Sequence, residues 1–250
     1  MRIAGRVALV TGASSGLGWA AALRLADAGA RLVLHGRDRR RLSALAGRTG
    51  GLPVQGDLAD PQEADRLAAE AQRLAGGVDI LVNNAGVGWA GPFGEMTPPD
   101  IDRLVTVNLV APVRLTRALL PAMCARGDGC VMFVTSIAGR TGVAGEAVYA
   151  ATKAGLDTFA ESLRLETRGS GVGVGVLVPG VVQTEFFRRR GRPYERSRPR
   201  PLPVDRVADL LVRAIATGSA ERYAPGWLRL PVAVRGAAPG LYRRLAARFG

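Results

Sequence analysis

Of the 34 basic residues in this chain, 33 are arginine, and the single lysine, Lys153, stands four positions after Tyr149. On a helix that spacing is one turn, so the phenol and the ammonium share a face. Such a pair suits acid/base work on an oxygen atom. A carbonyl group that gains a hydride develops negative charge on oxygen, which needs a hydrogen-bond donor and then a proton. A tyrosine hydroxyl can supply both once its pKa falls from ~10 to ~7, a change of about 4 kcal/mol. A lysine charge about 6 Å away contributes roughly 2.8 kcal/mol at an effective dielectric of ~20. A compact ammonium keeps further N–H groups for sugar hydroxyls, where a planar guanidinium fits less well. That is a physical reason for the lysine to stand where it does.

A second constellation lies near the N-terminus. The apolar run Arg6–Thr11 leads into Gly12-Ala13-Ser14-Ser15-Gly16-Leu17-Gly18 and then into a helical pattern. Glycines at a strand–turn–helix junction let the backbone approach a pyrophosphate, and the free amides and helix dipole supply positive potential. The end of the next strand selects the dinucleotide, because an acid there would accept from the ribose hydroxyls and repel a 2′-phosphate. His35-Gly36-Arg37 offers a guanidinium instead, followed by Arg39 and Arg40, while Asp38 lies beyond the turn and suits a helix cap. NADP(H) is expected in preference to NAD(H).

These groups have to be carried by a repeating βα rhythm. Strand-like runs at Arg31–His35, Leu52–Gln55, Val78–Val82, Cys130–Thr135 and Val172–Val178 alternate with helical stretches. The helical periods fall at Gly16–Ala28, Asp38–Ala46, Pro61–Leu74, Pro99–Arg126, Ala147–Arg168 and Asp205–Thr217. Strands apolar on both faces, alternating with helices, imply a parallel α/β sheet, doubly wound and Rossmann-like, with helices on both faces. With 250 residues, 48% of them hydrophobic, the chain is expected to form one domain over 1–250. One histidine and two cysteines, Cys124 and Cys130, are too few for a zinc site, so no metal is expected. No apolar run approaching a membrane span and no leader pattern is evident, and a cytoplasmic location with reduced thiols is the expectation.

The ordered set of motifs resembles the short-chain dehydrogenase/reductase family. It comprises the glycine motif, Asp57-Leu58, Asn83-Asn84-Ala85-Gly86, Asn108, Ser136, Tyr149-Ala150-Ala151-Thr152-Lys153, and Pro179-Gly180 with Thr184. These span Val7 to Thr184 in order. The resemblance implies that Asp57 and Leu58 border an adenine and that Asn84, Ala85 and Gly86 floor the adenosine ribose. It also implies that Pro179, Gly180, Val182 and Thr184 hold the nicotinamide, and that Asn108, Ser136, Tyr149 and Lys153 are catalytic. Asn108 is unfavourable in a helix by propensity, and a water held beside Lys153 would give it a role. The activity implied is NADP(H)-dependent hydride transfer between the nicotinamide and a small-molecule carbonyl or secondary alcohol. Reduction of a hydrophobic ketone or aldehyde is the leading case. A reductase of carrier-bound 3-ketoacyl substrates and a non-catalytic NADP-sensing module are the alternatives.

Substrate specificity is expected from variable regions, and the C-terminal quarter departs from the family pattern. Trp89, Phe93, Val143, Phe186 and Phe187 suggest an apolar substrate site, with 186–203 as a substrate-side loop. From Arg188 onward there are 15 arginines and only four acids, whereas the first 187 residues are nearly balanced. Glu221–Pro225 reads as a shortened strand, and 221–250 as a basic C-terminal extension. Three readings compete for that extension: a solvated helix whose apolar side covers the core, which is preferred, peripheral contact with an anionic membrane, and steering of an acidic partner. Pro231 and Pro239 interrupt any single long helix there. Nucleic acid is not expected as a partner, since no recognition motif accompanies the charge. A homodimer through the two long helices is expected.

Overall fold

In the computed structural model the described residues are 1–195 and 199–249. Residues 196–198 of the expected substrate-side loop, Gly250, and the side chains of Arg248 and Phe249 lie outside the description. The apolar runs become β1 (Val7–Val10), β2 (Arg31–Gly36), β3 (Leu52–Gln55), β4 (Ile80–Asn83), β5 (Gly129–Val134) and β6 (Val172–Pro179), joined by the short β7 (Glu221–Ala224). All pair in parallel, in the order β3-β2-β1-β4-β5-β6-β7. The chain winds outward from β1 to β3, then returns to β4 on the other side of β1. Ligands of such sheets bind beyond the carboxyl ends of the strands at that reversal.

The helices are α1 (Gly16–Asp27), α2 (Arg39–Thr49), α3 (Glu63–Ala75), α4 (Pro98–Val105), α5 (Ala111–Arg126), α6 (Ile137–Thr141), α7 (Ala147–Glu166), α8 (Phe186–Arg189), α9 (Val204–Thr217), α10 (Arg229–Ala237) and α11 (Pro239–Phe249). Both faces of the sheet are covered, which explains the unbroken apolar runs. Val7 and Leu9 of β1 point into the layer containing Leu67, Leu115, Leu119 and Leu156, from α3, α5 and α7. Ala8 and Val10 point into the opposite layer with Leu25, Leu42, Leu211 and Ile215, from α1, α2 and α9.

Three sequence expectations need correction. The stretch Pro99–Arg126 is not a uniform α-helix, because α4 and α5 are joined by a π-helical turn, Thr106–Val110, that contains Asn108. The whole run Pro98–Arg126 is long and apolar enough to cross a membrane by length and composition, contrary to expectation. In the fold its residues Leu104, Leu115, Leu119 and Met123 are buried in the protein. The segment after Thr184 is not all loop either, since it begins with the single turn α8.

A part-buried ionic cluster, centred on the buried Asp157, ties β7 to α6 and α7. Arg140 of α6 donates to both carboxylate oxygens of Asp157 on α7, at 2.6 and 3.0 Å, and meets Glu221 of β7 at 2.8 Å. Removing one partner of such a cluster strands the other charge, at a cost on the order of 3 kcal/mol. Arg140→Ala is therefore expected to lower the urea unfolding midpoint markedly. Arg73→Ala, which breaks the exposed pair with Glu70, should leave it unchanged. Equal midpoints for the two variants would disprove the structural role of the cluster.

Candidate active site

The loop after β1 is shaped by close backbone approach. Gly12 and Gly16 adopt φ values of 68° and 57°, in the left-handed region. A Cβ on Gly18 would lie 2.3 Å from the Gly12 carbonyl oxygen, and one on Gly12 would lie 2.9 Å from the Ala85 Cα. The loop is fastened to the end of β4. Thr11 Oγ1 accepts from the amides of Asn84 and Ala85, both at 3.0 Å, and Asn84 Nδ2 donates to the Thr11 carbonyl at 2.8 Å. Ser15, just ahead of α1, makes no side-chain cap to the helix. Its hydroxyl instead accepts from Arg189 of α8 at 3.0 Å.

At the end of β2, Arg37 stands half exposed, 3.7 Å from the Asp57 carboxylate, which Arg103 of α4 approaches to 3.9 Å. Asp38 caps α2 by accepting from the Arg41 amide at 3.0 Å, as its position past the turn implies.

Ser136 follows β5 directly and opens α6, its Oγ accepting from the Ala138 amide at 3.1 Å. Tyr149 and Lys153 lie one turn apart on α7, with the Lys153 Nζ 5.9 Å from the Tyr149 ring centre. The ammonium donates to the Val134 carbonyl at 3.0 Å, at the carboxyl end of β5. Asn108 spends its side chain on backbone. Its Oδ1 accepts from the Val87 amide and its Nδ2 donates to the Val87 carbonyl, both at 2.9 Å, and Nδ2 also donates to Thr152 Oγ1 at 3.3 Å. The fully buried side chain thus pairs with both the backbone N–H and C=O of Val87 and links that residue to α7. Gly86 passes between the two: a Cβ there would be 3.4 Å from Asn108 Oδ1 and 3.5 Å from Lys153 Nζ.

Burial governs the protonation of the pair. It pushes the Tyr149 phenol up to about 12, against the pull of the Ser136 hydroxyl and of Arg190, while Glu146 adds to the rise. It pulls Lys153 down to about 8, with Asp157 one turn further on acting in the opposite direction. The acidified phenol expected from the sequence is therefore not a property of the chain by itself. Desolvation outweighs the Ser136 hydrogen bond and Arg190.

Gly12, Ser14, Ser15, Gly16, Leu17, Arg37, Asp57, Leu58, Asn84, Ala85, Gly86, Ser136, Tyr149, Lys153, Pro179, Gly180, Val182 and Thr184 all line one cleft of about 1480 Å³. Gly18 and Asn108 are the two candidates that do not, and both act from behind its wall. Leu58 and Val182 border the cleft while being mostly buried in the core layers. On the substrate side the Tyr149 ring stands 5.6 Å from Phe186, which is 5.6 Å from Phe187, and Trp89 and Val143 complete the apolar wall. Phe93 does not join them. It is exposed and borders a separate recess of about 80 Å³. Sequence reasoning missed Arg103, and within the expected substrate-side loop it singled out neither Arg189 nor Arg190, whose part-buried pair with Glu146 also lines the cleft. In a chain with 33 arginines no local signal singles these out.

The cleft fits a dinucleotide: a cradle that any Cβ would fill, open backbone at a helix start, a guanidinium at the end of β2, and a buried amine with N–H groups to spare. A family model described as short chain dehydrogenase matches residues 6–195. An uncharacterised oxidoreductase of Myxococcus xanthus is 36% identical over 248 residues, covering 97% of this chain and 96% of that protein. The ketoacyl reductase HetN of a Nostoc species is 36% identical over 187 residues, 72% of this chain and 64% of that protein. Among solved structures, a short-chain dehydrogenase from Sphingobium yanoikuyae in complex with NADPH is 32% identical, with a TM-score of 0.84, covering 98% of this chain and 96% of that one.

The buried amine yields a test. Because the pKa of Lys153 drops from 10.5 to about 8 on folding, the folded state carries the desolvation cost in full below about pH 8 and loses it as the pH rises to 10.5. Lys153→Met is expected to be more stable than the parent at neutral pH by ~2 kcal/mol. The difference should close between pH 8 and 10.5, in urea titrations without dinucleotide. A difference independent of pH would show that the amine is not desolvated.

Proposed function

The chain belongs to the short-chain dehydrogenase/reductase family of oxidoreductases acting on CH–OH groups, and on that premise we propose that it reduces a hydrophobic ketone or aldehyde with NADPH. The observation that carries this reading is the convergence of Tyr149, Ser136 and Lys153 on a cleft whose other end is the glycine loop. Bound there, the dinucleotide supplies the hydride to the carbonyl carbon, or accepts it in the reverse reaction.

The protein's own groups act on the oxygen. Tyr149 donates a hydrogen bond to the carbonyl oxygen and passes its proton to it as the alkoxide forms. Ser136, whose Oγ accepts from the Ala138 amide, keeps its hydroxyl hydrogen to orient the same oxygen. Lys153 spends one N–H on Val134 and has two for the ribose hydroxyls and for the phenolate left after proton transfer. Asn108 is a positioning residue that fixes the Val87 backbone. Burial leaves the phenol protonated at neutral pH, the form that donates to a carbonyl oxygen. The apolar wall of Trp89, Val143, Phe186 and Phe187 suits a hydrophobic substrate.

Arg37 would take the 2′-phosphate of NADP(H), which its guanidinium matches and an acid would repel, with NAD(H) as the weaker cofactor. The likeness to an NADPH-bound neighbour supports that preference. A second reading, reduction of a carrier-bound 3-ketoacyl group, is favoured by the likeness to a ketoacyl reductase and by Arg189, Arg190 and Arg192 at the cleft. We further infer a homodimer through α5 and α7, and a cytoplasmic location where Cys124 and Cys130 stay reduced.

Tyr149→Phe is expected to cut turnover by roughly a thousandfold while leaving NADPH binding near the parent value. NADPH absorbance across a panel of ketones, aldehydes and acyl thioesters reads the first, and cofactor fluorescence reads the second. Retained turnover would refute the role of the phenol. Arg37→Glu should raise the KM for NADPH far more than that for NADH, and an equal rise in both would refute the cofactor assignment.

A further inference from the structure

After Glu221 the sequence contains no Asp or Glu, and the 29 residues from Arg222 onward carry six arginines. Among the described residues seven large hydrophobic side chains are exposed, and four of them fall in this segment. They are Trp227, Leu230, Leu241 and Leu245, at 51, 67, 52 and 44% exposure. Trp227 and Leu230 are three apart and Leu241 and Leu245 four apart, so each pair shares one side of its helical turn. The expectation that the apolar side of this extension covers the core therefore holds only in part. Leu228 and Val232 pack inward, while these four do not.

The segment is nonetheless held in place. Arg235 donates to the Arg140 carbonyl, the Tyr242 hydroxyl donates to the Thr141 carbonyl at 2.9 Å, and the Arg229 guanidinium lies 5.5 Å over the Tyr223 ring. One side of α10 and α11 is thus docked on α6, while Leu230, Leu241, Leu245, Arg243 and Arg244 stay exposed.

We propose that α10 and α11 form a docking surface for an anionic lipid membrane, with Trp227, Leu230, Leu241 and Leu245 entering the interface and Arg243 and Arg244 meeting lipid phosphates and carboxylates. Aromatic and aliphatic side chains beside arginine, with no acid among them, match the composition of interfacial helices. A second copy is the poorer occupant, since two acid-free cationic faces repel each other across a twofold axis. An acidic protein would satisfy the arginines but gives no reason for the exposed leucines. The docked side of α11 meets Thr141, two residues from Val143 of the apolar wall. The inference does not depend on the catalytic reading.

Co-sedimentation of the full chain with vesicles tests it, using phosphatidylcholine alone and phosphatidylcholine with about one-third phosphatidylserine. Binding is expected to the mixed vesicles, to be absent on the neutral ones, and to be lost at high salt. Arg243→Gln with Arg244→Gln should weaken partition about thirtyfold, from the usual contribution of each surface arginine. Leu241→Ser with Leu245→Ser should weaken it by at least roughly tenfold. Both variants should keep the parent unfolding midpoint. Absence of vesicle binding, equal binding to neutral vesicles, or insensitivity to the serine pair would overturn the proposal. So would a dimer abolished by the serine pair in a protein that ignores vesicles.

Discussion

A single amine withdrawn from water organises the chemistry of this fold. Lys153 sits at the carboxyl edge of the sheet with one N–H on the Val134 carbonyl, and its burial shifts it toward neutrality. The same low-dielectric surroundings hold the Tyr149 phenol protonated. Two groups that each resist ionisation in an apolar wall are poised for whatever brings charge or hydroxyls into the cleft, because any favourable partner then acts with little solvent screening. The protein accepts a stability cost at this position, as functional sites often do.

The walls around that amine come from tight backbone contacts. Gly12, Gly18 and Ala85 approach one another so closely that only glycine fits at the first two, and Thr11 and Asn84 stitch the strand ends on either side of the topological reversal. Further along, Ser136 reports the position of α6, which is fixed from below by the Arg140–Asp157–Glu221 cluster and from outside by Arg235 and Tyr242. The C-terminal extension is thereby part of the scaffold behind Ser136.

Much of this was legible in the sequence, and for identifiable reasons. Strands buried on both faces announce themselves as unbroken apolar runs, and the glycine loop, Arg37 and the Tyr149–Lys153 spacing are local signals. Short or long-range features were not. The five-residue helix α6 is too brief for a period to show, and the π turn at Asn108 is invisible to a pattern that only asks for 3.6-residue spacing. The bond between Arg189 and Ser15 joins residues 174 apart, and nothing near either marks it. The rise in the Tyr149 pKa is likewise not a local signal, because it comes from desolvation by the surrounding wall.

The turn Thr106–Val110 also acts as a rotational spacer. An α-helix advances ~100° per residue, so the one extra residue in a π turn resets the angular phase of everything after it. Upstream, Arg103 and Leu104 face the cleft, and downstream, Leu115 and Leu119 face the sheet. Losing a single residue there would keep the helix continuous yet swing the sheet-facing side of α5 away from its seat, so the length of this segment is constrained as strictly as its composition.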